Sequence, residues 1–182
     1  MEFTQSGPDI VRSDDQRRLL QAWGALRGAA SLPIWPGLRA DTLTVPLDNL
    51  ALTQVVRDGA EARFRLEYHG ERLAKSFGDL DCIGMFLDDI LPQPYLRAAL
   101  ATYREAMNAR LPVYTVSDMR DVGGRIVHHE RLILPFAVGG PETAKILASI
   151  EAISPEGPFE IHELMRSPIR PPVLALCTTI RC

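Results

Sequence analysis

Three β-prone runs joined by glycine-containing turns occupy the stretch after Pro112, and they constrain the fold more than any other feature. Val113 to Arg120 is rich in β-branched and aromatic residues, Asp121-Val-Gly-Gly124 is a turn, and Ile126 to Val138 ends in the apolar run Leu132-Ile-Leu-Pro-Phe-Ala-Val138. Gly139-Gly140-Pro141 turns the chain again. Lys145 to Ile153 then places Ile146, Ala148 and Ile150 on one face and Leu147, Ser149 and Glu151 on the other. These are three meandering strands of an antiparallel sheet.

Two more strands precede them. Leu50 to Val56 is β-prone, Arg57-Asp58-Gly59 is a turn, and Arg63 to Tyr68 alternates with period two, so that Phe64, Leu66 and Tyr68 should share a face. Gly70 closes this hairpin. Glu71 to Phe77 reads as a short helix ended by Gly78, and Asp79 to Asp89 allows one or two further turns. Pro94 suits the first turn of a longer helix whose stripe is Leu96, Leu100, Tyr103 and Met107, and which must stop before Pro112. Near the start, Ser13 and Gln16 have the form of a capping box, Leu19, Leu20, Trp23 and Leu26 lie along one helical stripe, and Gly28 is the C-cap.

The whole reads as an α+β fold: a five-stranded antiparallel sheet covered by helices on one face, with an amphipathic helix ahead of it. Residues 1–44 form a leader carrying that helix, 45–153 the core, and 154–182 a proline-rich tail apolar enough at its end to dock. Two strands, short helices, one long helix and three strands is an order that resembles the PAS domain family. The resemblance extends to a bacterial branch with an N-terminal helix, through Phe64-Arg-Leu-Glu-Tyr-His-Gly70, Asp81-Cys-Ile-Gly84 and Gly124-Arg-Ile-Val-His-His-Glu-Arg-Leu-Ile-Leu-Pro135. Two departures stand out: Gly78 and Gly84 are one residue further apart than in that branch, and His129 replaces a tyrosine.

The resemblance implies a stand-alone sensory or protein-interaction module of bacterial signalling. Such a module binds a small ligand between sheet and helices, or a protein partner alone. A ligand would shift the population of sheet and helix arrangements. The N-terminal helix, through Leu19, Leu20, Trp23 and Leu26, would transmit that shift by packing on its own sheet or on a second copy as a homodimer.

Candidate residues for the pocket are Phe64, Leu66, Tyr68, Phe77, Tyr103, Tyr114, His129 and Arg131, with core packing the competing role for each. An inward Arg131 could hold a carboxylate or phosphate by a bidentate fork, against outward cross-strand ion pairing for Arg131 and Glu130. His128 and His129 point to opposite faces of a strand and cannot chelate one ion together, so no metal site is expected. Nor does the sequence require any cofactor. Cys82, Cys177 and Cys182 form no CxxC pair and read as buried or incidental thiols, with a disulfide between Cys177 and Cys182 a lesser option.

Other function classes are weighed on the same residues. Phosphate-loop, nucleophile-elbow and HExxH motifs are absent from the sequence. An enzyme is not expected; the competing readings are a small α+β enzyme using His129, Arg131 and Tyr114, or a haem sensor with a histidine ligand near His129 and Arg131. Twenty Lys and Arg against twenty-three Asp and Glu give a net charge of −3, from which no nucleic-acid partner is expected. A membrane span and a signal peptide are also not expected, which places the chain in the cytoplasm.

Overall fold

All five strands expected from alternation and turn spacing form. They are β2 (Leu50–Asp58), β3 (Glu61–His69), β4 (Val113–Arg120), β5 (Ile126–Ala137) and β6 (Thr143–Ile153), adjacent in the order β4-β5-β6-β2-β3 and antiparallel at each step. In this computed structural model the described residues are 2–43, 45–59, 61–162, 164–165 and 172–181.

The sheet is larger than five strands and is not wholly antiparallel. The segment expected as a docking tail forms β7 (Val173–Ile180), which pairs antiparallel with β4, and β1 (Thr4–Ser6) then pairs parallel with β7. The fold is α+β with a seven-stranded mixed sheet. An uncovered β4 would present a row of unpaired backbone N–H and C=O groups, which β7 satisfies from Val113↔Thr179 to Asp118↔Val173. Residues at both ends of the chain therefore belong to the sheet. Cys182 and the stretch 166–171 lie outside the described residues.

Helices cover both faces rather than one. On β5, Leu132, Leu134 and Phe136 meet α1 (Asp14–Arg27), and the alternate residue Ile133 lies with the core beneath α5 (Gln93–Ala109). The short helices α3 (Glu71–Ser76) and α4 (Leu87–Ile90) flank α5 on that second side, and α2 (Ala40–Leu43) leads into β2.

Leu19, Leu20 and Trp23 are buried in α1 against the sheet of their own chain, but Leu26 is 43% exposed and lies outside this contact. Only half of the capping box forms. Ser13 Oγ accepts from Gln16 N at 3.4 Å, while the Gln16 side chain donates instead to the carbonyls of Glu130 (3.3 Å) and Ser149 (3.0 Å). Trp23 Nε1 donates to the carbonyl of Pro135 at 2.8 Å, so α1 is bonded to the sheet backbone at both ends of its buried stripe.

The buried stripe of α5 is offset from the expected one. Tyr95, Ala99, Thr102, Tyr103 and Ala106 are buried, whereas Leu96, Leu100 and Met107 are half-buried. Small residues at Ala99 and Ala106 let the helix approach the sheet. No helix among the described residues is long and apolar enough to cross a membrane.

Candidate ligand cavity

Beneath α5 the sheet and helices do not close completely. A cavity of about 50 Å³ is walled by Leu66, Leu73, Leu87, Ala99, Tyr103 and Ile150 among others, with Arg131 and His69 contributing nitrogen. A second cavity of about 40 Å³ adjoins it on the side of Tyr95, Ser117 and Met119 and shares Ala99, Arg131 and Met165. A third, of about 10 Å³, carries His129 and Arg72 and again Met165. Apolar walls with a few convergent polar groups are the ordinary composition of a small-molecule site.

Part of this wall comes from the expected tail. After β6 the chain crosses the helical side, where Glu156 Oε2 accepts from Ile126 N at 3.0 Å and Asp121 Oδ2 from Glu160 N at 3.2 Å. Burial opposes the charge of Asp121, yet the backbone N–H groups of Arg125, Glu160 and Gly123 hold its carboxyl below the usual range. Met165 N then donates to Ser76 O at 2.9 Å, which buries Leu164 and Met165 against α3. Sequence reasoning missed Met165, because a methionine among prolines has no period to announce it.

Period two on β5 places His129 and Arg131 together on the cavity side. Arg131 is directed inward, so outward ion pairing does not describe it. Its Nε donates to Thr115 Oγ1 at 3.3 Å, no carboxylate among the described residues pairs with it, and burial lowers its pKa. His129 is buried, its Nε2 has no hydrogen-bond partner, and burial, with Arg131 beside it, pulls its pKa down to about 3. Burial also pushes the Tyr103 hydroxyl up to about 12 and the Cys177 thiol up to about 11.

Of the other candidates, Leu66 and Phe77 line the main cavity, and Phe64 is packed beneath it with its ring 5.2 Å from that of Tyr103. Tyr68 and Tyr114 are on the α1 side. For Tyr68 the reason is a bulge: Leu52 pairs with Tyr68 but Thr53 with Leu66, so Glu67 is an extra residue and the alternation changes face. Tyr114 donates to Glu130 Oε2 at 2.7 Å, and Arg12 Nη1 lies 3.7 Å from the same carboxylate, so Glu130 is likewise buried rather than outward.

His128 points away from His129 and sits 2.7 Å from Asp118. No group of three or more His, Cys, Asp or Glu among the described residues could hold a metal ion. Cys82 and Cys177 are buried thiols.

No protein-family model matches the chain, and no curated protein matches it. Among solved structures it is similar to a complex of Vibrio cholera VqmA with ligand and DNA, at 13% identity and a TM-score of 0.45. The match covers 64% of this chain and 51% of that one, so this chain spans about half the length of that protein. The exclusion of nucleic acid expected from net charge is withdrawn. A whole-chain charge of −3 does not describe any one surface.

Proposed function

We propose that this chain is a PAS-type sensory module that takes a small molecule between its central sheet and helices α3 to α5. The observation that carries this reading is the apolar cavity beneath α5 with a guanidinium in its wall. The order of two strands, short helices, a long helix and three strands supports the family assignment.

The mechanism is a population shift conveyed through β5. His129 and Arg131 face the cavity, while Glu130 between them holds α1 through its carbonyl and Tyr114 through its carboxylate. A ligand that repositions β5 thereby alters the seating of α1, and the exposed side of α1 presents that change to a protein partner. The outer residues include Arg18, Gln21, Ala25 and Leu26.

Native mass spectrometry of the purified protein, together with a thermal-shift screen of small metabolites, tests this reading. Wild type should bind compounds that Ala99→Phe, which fills the wall shared by the two adjoining cavities beneath α5, does not bind. A wild type that binds none of them, and an Ala99→Phe variant that is simply more stable, would show a filled core instead.

A further inference from the structure

We infer that the ligand is a small organic carboxylate, its anionic head on Arg131 and its apolar body among Leu66, Leu73, Leu87 and Ile150. This rests on the ligand-cavity reading and names the chemistry of that site.

Arg131 is the charged group common to the two adjoining cavities beneath α5. A guanidinium offers five donors in a planar fork, and here one of them is used, by Thr115 Oγ1. Desolvating a cation without a counter-charge is costly, so proteins rarely bury one unless a partner completes it. Among the described residues no Asp or Glu forms an ion pair with Arg131. The nearest buried acid along the strand, Glu130, is turned to the opposite face and held there by Tyr114 and Arg12.

A second, independent group points to the same place. His129 is two residues away on the same face, it lines the adjoining cavities, and its buried Nε2 lacks a partner. The neutral ring can donate or accept one hydrogen bond at that atom. A polar head seated between Arg131 and His129 would satisfy both.

The remaining walls select the class of anion. They are almost entirely aliphatic and aromatic, which favours a ligand with an apolar body. One guanidinium fork matches one carboxylate, whereas a phosphate dianion would leave charge and acceptor oxygens unmet in an apolar wall. The adjoining cavities of about 50 and 40 Å³ limit the body to a chain of a few carbons, since a cavity that binds benzene measures on the order of 150 Å³.

The test compares acids with their uncharged counterparts. Acetate, propanoate and butanoate are titrated into the full chain, alongside the corresponding primary amides and inorganic phosphate, with binding read by calorimetry and thermal shift. At least one acid should bind about tenfold or more tightly than its amide. Arg131→Met should fold, because it replaces a half-buried cation by an unbranched apolar chain that reaches as far as the Arg Nε, and should lose that preference.

Equal binding of acids and amides would overturn the carboxylate assignment while leaving a ligand cavity in place. Tighter binding of phosphate than of any acid would also overturn it. No binding of any of these compounds, with Ala99→Phe behaving as wild type, would overturn the cavity reading itself. The acid and amide comparison on wild type decides the matter even if Arg131→Met fails to fold.

Discussion

At the scale of single residues, His129 ties stability to pH. In the unfolded chain a histidine titrates near 6.5, whereas in the fold burial and Arg131 hold it at about 3. Arg131, two residues along the same strand, is cationic and adds to burial in opposing its protonation, while Arg72 from α3 lines the small cavity beside it. A base whose folded pKa is depressed leaves the native state neutral while the unfolded state takes up a proton. Its contribution is therefore intact above pH 6.5 and is lost as pH falls from there toward 3. Urea denaturation should show wild type losing roughly 1.4 kcal/mol per pH unit more than His129→Asn between about pH 6 and 4.5. Parallel curves for the two proteins would show that this histidine is not desolvated.

Gly70 makes a second prediction at this scale. A Cβ built there would lie 2.2 Å from the carbonyl oxygen of Leu47 and 2.3 Å from that of Asp48, closer than any methyl group can approach backbone. Its own N–H donates to Leu50 O at 2.8 Å, which fixes the chain between β3 and α3. Gly70→Ala should therefore cost on the order of 1–3 kcal/mol of unfolding free energy by denaturant titration. An unchanged midpoint would mean that this turn can open without loss.

At the scale of elements, α1 is held to the sheet by apolar contact and by directed hydrogen bonds from Gln16 and Trp23. Pro135 can sit in β5 because the strand has run past the end of β4 there, and the Trp23 indole takes its carbonyl. Trp23→Phe should leave that buried carbonyl unmet and cost about 1–3 kcal/mol, with faster amide exchange in α1. If exchange quickens uniformly throughout the protein instead, α1 is not a separately seated element. Most elements were legible in the sequence because turns and prolines bracket them: Gly59, Gly124 and Gly139, all at positive φ, mark three of the bends. What alternation could not reveal was the face of Tyr68, since a bulge leaves no mark in a pattern of polar and apolar residues. The offset of α5 was hidden similarly, because alanines rather than leucines make its closest approach.

For the whole molecule, the segments read as leader and tail proved to be structural. Pairings such as Thr4↔Thr178 join residues at opposite ends of the chain, and no local pattern can announce a contact at that separation. The stretch that brings the chain from β6 to β7 also walls the cavity, so sheet completion and site formation depend on the same residues. A fragment limited to residues 45–153 should lose cooperative thermal unfolding, because it exposes the edge of β4 and strips Leu164 and Met165 from the helical side. A fragment that melts at the full chain's midpoint would show that the five central strands suffice. Arg131 and His129 were both named from strand period alone, yet the burial of His129 and the half-burial of Arg131 follow from α5 and Met165, which that period does not contain.

Methyl-resolved NMR during titration with the tightest-binding carboxylate tests the ligand cavity most directly. Shifts are predicted to concentrate on Leu66, Leu73, Leu87, Ile150 and Met165, which surround Arg131. Shifts scattered over exposed residues such as Ile34, Val138 and Val173, with those five unmoved, would contradict it.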